Sequence, residues 1–173
     1  MDKRMLGRSG LEVSAMGMGC WAIGGPFWKN GQPVGWGQVN DDESVRAIQC
    51  AVDLGITFFD TAAVYGCGHS ERVLGKALAG QRERVVIATK FGQIFDEETR
   101  QVLGYDTSPE KIHRDCEASL RRLNVDQIDL YQLHVKDLDE ERALVVRDTL
   151  EDLVQEGKIR FYGWSTDDPG RAR

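Results

Sequence analysis

The feature that most constrains this chain is a repeated alternation of short apolar strands with amphipathic helices. Strands are predicted at Ala15–Gly19, Ile56–Asp60, Val85–Lys90, Ile128–His134 and Ile159–Ser165. Between them lie helical patterns with recognisable ends. The first starts at Asn40-Asp41-Asp42, buries Val45, Ile48 and Val52, and stops at Gly55. The second starts near Ser70-Glu71, buries Val73, Leu74, Ala77 and Leu78, and stops at Gly80. The third has Ser108 as N-cap and Pro109 at its first position, with Ile112, Cys116, Leu120 and Leu123 inside. The fourth runs from Asp139 to Glu156, with Val146, Leu150, Leu153 and Val154 inside, and Gly157 follows. A hairpin precedes all of this, Arg4–Gly7 and Leu11–Ser14 around a turn at Arg8-Ser9-Gly10.

Alternation of this kind requires parallel strands joined by crossover helices. Two architectures satisfy it, an open doubly wound sheet and a (β/α)8 barrel. The open dinucleotide-binding sheet needs a glycine-rich phosphate turn after its first strand. Met16-Gly17-Met18-Gly19-Cys20-Trp21 does not supply one, and a long loop rich in glycine and aromatics, Gly24 to Asn40, follows. An α/β fold of the (β/α)8, TIM-barrel type is therefore expected, with the hairpin at its N-terminus.

In such a fold, function sits at the C-terminal ends of the strands. The second strand ends at Asp60, the third at Lys90, the fourth at His134, and Ser165-Thr166 close the fifth. Tyr65 lies on the loop just after Asp60. Singly, each has a structural reading: an ion pair, a satisfied core histidine, a rim aromatic. A run of polar groups at the same end of successive apolar strands is harder to explain that way, because burying them is costly unless they pair or react.

Four segments together resemble the aldo-keto reductase family. They are Phe58-Phe59-Asp60-Thr61-Ala62-Ala63-Val64-Tyr65-Gly66 continuing to Ser70-Glu71, Ala88-Thr89-Lys90-Phe91-Gly92, Ile128-Asp129-Leu130-Tyr131-Gln132-Leu133-His134, and Gly157–Ser165. The match is closer to the bacterial and stress-related branches. The resemblance implies an NADP(H)-dependent oxidoreductase that reduces aldehydes or ketones, with a catalytic tetrad of Asp60, Tyr65, Lys90 and His134. Tyr65 would be the general acid. A cationic Lys90 beside it is expected to lower the phenol pKa, with Asp60 holding Lys90 and His134 orienting the carbonyl. The resemblance also implies cofactor contacts at Cys20, Trp21, Asp60, Ser165 and Thr166. The family has Thr or Ser commonly where Cys20 stands and usually Asn where Thr166 stands. Trp21, Trp28 and Trp36, with Phe27, either line the substrate mouth or pack a loop. A non-catalytic regulatory or binding subunit of the same scaffold is the alternative, and the intact tetrad argues against it.

A barrel of this type takes about 250 residues. Five strands in 173 residues imply one partial domain over 1–173, truncated after the fifth strand. Its first and fifth strands would be open edges suited to self-association. The net charge of −6 and the lack of a concentrated basic patch exclude nucleic acid as the main partner. No segment approaches a membrane span of roughly 20 apolar residues, and the start carries no signal-like apolar run. Four cysteines in no regular framework fit reduced thiols in the cytoplasm. Cys67 with His69 is too small a set for a metal site, and no metal is expected.

Overall fold

A computed structural model describes residues 1–168 and 170; Pro169 and residues 171–173, which the expected domain includes, lie outside the described residues. The chain opens with an antiparallel hairpin, β1 (Lys3–Met5) and β2 (Glu12–Ser14). β3 (Gly17–Gly19) leads into a loop holding two short strands, β4 (Trp28–Lys29) and β5 (Gln32–Pro33). Then come α1 (Asp41–Asp53), β6 (Phe58–Asp60), α2 (His69–Ala77) and β7 (Val86–Phe91). A second hairpin follows, β8 (Gln93–Asp96) and β9 (Gln101–Tyr105). α3 (Pro109–Leu123), β10 (Ile128–Leu133), α4 (Glu140–Gln155) and β11 (Ile159–Trp164) complete the chain.

The main sheet is parallel, in the order β11-β10-β7-β6-β3. Every strand thus pairs with its predecessor among the crossover strands, as short α-helical connections favour. Among the described residues, β3 and β11 each pair on one side only. The helix starts follow from their caps. Asn40 accepts a hydrogen bond from Glu43 N, and Asp139 accepts one from Arg142 N. Ser108 precedes Pro109 in extended conformation but its side chain makes no cap bond.

The helices cover one face of the sheet. Phe59, Ile87, Phe91, Tyr131 and Leu133 interlock there with Ile48 and Val52 of α1, Val73 and Leu74 of α2, Ile112, Cys116 and Leu123 of α3, and Leu150 and Leu153 of α4. Each fully buried side chain of this size stabilises the fold by roughly 1.5–3 kcal/mol. The first hairpin clamps the N-terminal ends of the strands. Ser14 N donates to Thr57 Oγ1 at 2.8 Å, and Thr57 N donates back to Ser14 Oγ at 2.9 Å.

The sequence expectation misses one element, a separate four-stranded sheet in the order β5-β4-β9-β8. It forms between two loops, β4 pairing in parallel with β9 through Trp28↔Gln101 and Lys29↔Val102. The aromatic-rich loop after β3 is therefore part of a built platform, seated on the loop after β6 through Phe27, Ala62, Val64, Cys67 and Val102.

Candidate active site

The C-terminal ends of β6, β7 and β10 bring Asp60, Lys90 and His134 to one side of the sheet, and the loop after β6 folds back to place Tyr65 among them. Lys90 Nζ donates to Asp60 Oδ1 at 2.9 Å, to Asp60 Oδ2 at 2.8 Å and to the Thr61 carbonyl at 2.7 Å. All three ammonium donors are used. These bonds offset the cost of burying a side chain only 6 % exposed. The same nitrogen lies 5.1 Å from the centre of the Tyr65 ring, within cation–π range. The Tyr65 and His134 rings meet edge to face at 6.0 Å. The four predicted tetrad residues therefore share one site.

The Tyr65 loop is held by small residues. Ser70 Oγ donates to the Cys20 carbonyl at 2.7 Å and lies 2.8 Å from Thr61 Oγ1. Gly24 and Gly66 meet backbone to backbone: a Cβ on Gly66 would fall 1.9 Å from the Gly24 carbonyl oxygen. This contact seats the Trp21 loop on the Tyr65 loop. Trp21 stacks on Tyr65 at 6.1 Å, and Trp36 meets Trp21 edge to face at 5.7 Å. Trp21 and Trp36 therefore border the site. Trp28 belongs to β4, opposite Pro33 and Gln101 in the second sheet.

The electrostatics correct one expectation. Lys90 was expected to pull the Tyr65 pKa down, yet the phenol is pushed up to about 12. Burial is the main cause, and the neighbouring Asp60 and Cys20 add to it. The physical reason is that Lys90 is neutralised by Asp60 and faces the ring, with all its donors committed elsewhere. Tyr65 thus rests as a protonated phenol. His134 is pushed down to about 4, by burial first and then by Lys90, Lys136 and Lys29, so its imidazole is neutral at pH 7. Among the described residues its Nδ1 is buried without a hydrogen-bond partner. Gln93 Nε2 donates to the His134 carbonyl at 2.8 Å and fixes the backbone there.

Cys20 is fully buried, its amide donating to the Asp60 carbonyl at 2.8 Å. Burial and Asp60 push its thiol up to about 12, which makes it a packing group and no thiolate. Ser165 follows β11, its amide donating to the Leu133 carbonyl at 2.9 Å, and Thr166 Oγ1 accepts from Asp168 N at 3.0 Å. Both stand half-buried beside the His134 strand end. The sequence reading missed Thr61, Ser70 and Gln93. The first two lie within the quoted motif, whereas nothing in the local pattern marks Gln93. A cavity of about 500 Å³ lies between the first hairpin and β11, lined by Leu6, Leu11, Leu130, Val154 and Phe161. Its lining includes none of Asp60, Tyr65, Lys90 and His134. Among the described residues no cluster of His, Cys, Asp and Glu could hold a metal, and no helix is long and apolar enough to cross a membrane.

Residues 15–173 match the profile of the aldo/keto reductase family. The chain is 38 % identical over 170 residues to aldo-keto reductase YhdN of Bacillus subtilis, covering 95 % of this chain and 47 % of that protein. It superposes on aldo-keto reductase AKR11C1 from Bacillus halodurans, in its holo form, with a TM-score of 0.84 and 34 % identity, over 100 % of this chain and 55 % of that one. An aldo/keto reductase from Klebsiella pneumoniae in complex with NADP and acetate superposes with a TM-score of 0.73 and 32 % identity, over 94 % of this chain and 49 % of the other. The chain thus spans about half the length of these relatives.

Proposed function

The chain belongs to the aldo/keto reductase family, and from that premise we propose that it carries the reducing centre of an NADP(H)-dependent reductase of aldehydes or ketones. The observation that supports this best is the convergence of Asp60, Tyr65, Lys90 and His134, with Lys90 Nζ bound to both Asp60 oxygens and lying under the Tyr65 ring. The Klebsiella relative binds NADP, and the residues here fit the reactive end of such a cofactor. Ser165 and Thr166 stand beside the mouth as hydroxyl donors for a carboxamide, and Trp21 offers a flat apolar wall. When bound, NADPH supplies the hydride.

This chain's residues handle the rest. Hydride arriving at a carbonyl carbon leaves an alkoxide, which needs a proton. Tyr65 holds that proton at neutral pH, because its pKa is about 12. As Tyr65 gives it up, the Lys90 ammonium, 5.1 Å from the ring centre, faces the phenolate that develops. Asp60 and the Thr61 carbonyl keep that cation in place. Neutral His134 donates through an N–H to the carbonyl oxygen and aligns it with Tyr65. Trp21 and Trp36 line the approach for a small carbonyl substrate.

We read the five-stranded sheet as part of a (β/α)8 barrel in which β3 and β11 are the edges. Those edges make self-association a property to test. The four free cysteines suit a reducing cytoplasm. The deciding experiment is Tyr65→Phe in the active protein that carries this sequence. Turnover of a reactive aldehyde should fall by about 10²–10⁴-fold, the size of a general-acid contribution, while NADPH titration is unchanged. Near-normal turnover would remove Tyr65 from the role of acid and favour a binding subunit.

A further inference from the structure

Outside the site, a buried ionic cluster joins α2, β7, α3 and the second hairpin. Glu71 of α2 is fully buried. Its Oε1 accepts from Thr89 Oγ1 of β7 at 2.6 Å, and its Oε2 from Arg122 Nε of α3 at 2.7 Å. With Nε committed, the guanidinium is fixed in orientation. Its other nitrogens reach Glu97 Oε1 at 3.2 Å and Ser119 Oγ at 3.3 Å. Glu97, on the turn between β8 and β9, also accepts from Arg72 of α2 at 2.6 Å.

This cluster touches the Tyr65 loop at two points. Gly68, three residues after Tyr65, has φ +90° and no room for a side chain. A Cβ there would lie 2.9 Å from Arg122 Cδ and 3.1 Å from Glu97 Oε1. Phe95, two residues before Glu97, lies with its ring 5.8 Å from the Arg122 guanidinium carbon. It packs with Tyr65 on the cluster of Phe27, Ala62, Val64, Cys67 and Val102. The hairpin's other ties are to the loop after β3 and to the His134 strand end. β9 has two register pairs with β4, the Arg100 carbonyl accepts from Trp28 N at 2.9 Å, Arg100 Nη1 donates to the Pro26 carbonyl at 3.2 Å, and Gln93 makes one bond to the His134 carbonyl.

We propose that Arg122 and Glu97 form an ionic clasp that holds the β8–β9 hairpin against the Tyr65 loop, so that both are positioning residues for the general acid. This rests on Tyr65 being that acid. The clasp has a rigid half and a releasable half. Arg122 is anchored from behind by buried Glu71, while Glu97 is 43 % exposed. Water and salt therefore weaken the bonds that Glu97 makes to Arg122 and Arg72 and spare the one between Glu71 and Arg122. Releasing Glu97 loosens Phe95 and Val102, which back Tyr65.

The test is Glu97→Ala, a change at an exposed turn that leaves the core intact, with Glu97→Asp as the conservative variant. Amide hydrogen exchange on this chain reads the clasp without any activity. In Glu97→Ala, the amides of β8, β9 and Trp28 should exchange roughly fivefold faster, the scale of losing the two ion pairs that Glu97 makes, with those of β10 and β11 unchanged. High salt should produce the same pattern in the parent chain. In the active protein, Glu97→Ala should lower the single-turnover reduction rate at saturating NADPH with cofactor affinity unchanged, and Glu97→Asp should restore most of it. Unchanged exchange in the hairpin overturns the clasp. Faster exchange with an unchanged single-turnover rate overturns its positioning role. Normal turnover in Tyr65→Phe overturns the assignment of the acid instead, whatever the exchange shows.

Discussion

On one face of the parallel sheet, Phe59, Ile87, Phe91, Tyr131 and Leu133 lie under four helices, and none exceeds 3 % exposure. On the other, Phe58, Val86, Leu130 and Phe161 stay half-buried, and Asp60, Lys90 and His134 stand at the strand ends. The strand alternation that separates these sets is the same period of two on both sides. What differs is the covering layer. The helix-covered face meets close packing everywhere and carries the stability. The other face keeps its polar groups at the strand ends, where they bind one another. Structural cohesion and chemistry are thus divided between alternate residues of the same strands.

The sharpest test of that division replaces neighbours on one strand. Phe59→Ala should cost about 3–5 kcal/mol in urea unfolding, the range for a large aromatic removed from a packed core. Phe58→Ala should cost less than about 1.5 kcal/mol. Equal losses would mean that the half-buried face is also a core.

An intermediate effect is expected from acid. His134 has its pKa depressed in the folded chain from 6.5 to about 4. Above pH 6.5 both folded and unfolded chains hold it neutral, and the folded state has its full stability. As the pH falls from 6.5 toward 4, only the unfolded chain takes up the proton, so stability declines through that window. Allowing for partial exposure, the loss is roughly 2 kcal/mol. His134→Gln should flatten this part of the pH–stability curve. An unchanged slope would place the acid sensitivity elsewhere.

The smallest effect on folding belongs to the rim. Trp36 is 68 % exposed and meets Trp21 edge to face. Trp36→Ala should shift unfolding by less than about 0.5 kcal/mol. It should still raise KM for an aromatic aldehyde several-fold, since an aromatic edge contact is worth about 0.5–1.5 kcal/mol. A larger change in stability than in KM would make Trp36 a packing residue.

Much of the frame was legible because its signals are local. Asn40 and Asp139 cap the helices whose starts they mark. Ile112, Cys116 and Leu123 form the buried stripe of α3 that their spacing indicates. The convergence of Asp60, Tyr65, Lys90 and His134 was legible for a related reason: each ends, or closely follows, a readable strand. β4 and β9 were not, because their ladder joins residues some 70 positions apart through two short strands, and neither half has a period of its own. The Tyr65 pKa was misjudged for a different reason. The Asp60–Lys90 pair is the expected one, but the depth at which the phenol is buried, the largest cause of its raised pKa, is a property of the packing. Gln93 and Glu97 act through contacts that only the folded hairpin creates.

The strand order β11-β10-β7-β6-β3 also sets a schedule. Each strand, as it leaves the ribosome, finds its partner already made, so the sheet can grow at one edge in the order of translation. Cys20 and Asp60 meet first, Lys90 then arrives to claim the carboxylate, and His134 comes last. A nascent chain that pauses before residue 134 would hold Lys90 paired to Asp60 but would lack the imidazole that meets the Tyr65 ring edge to face.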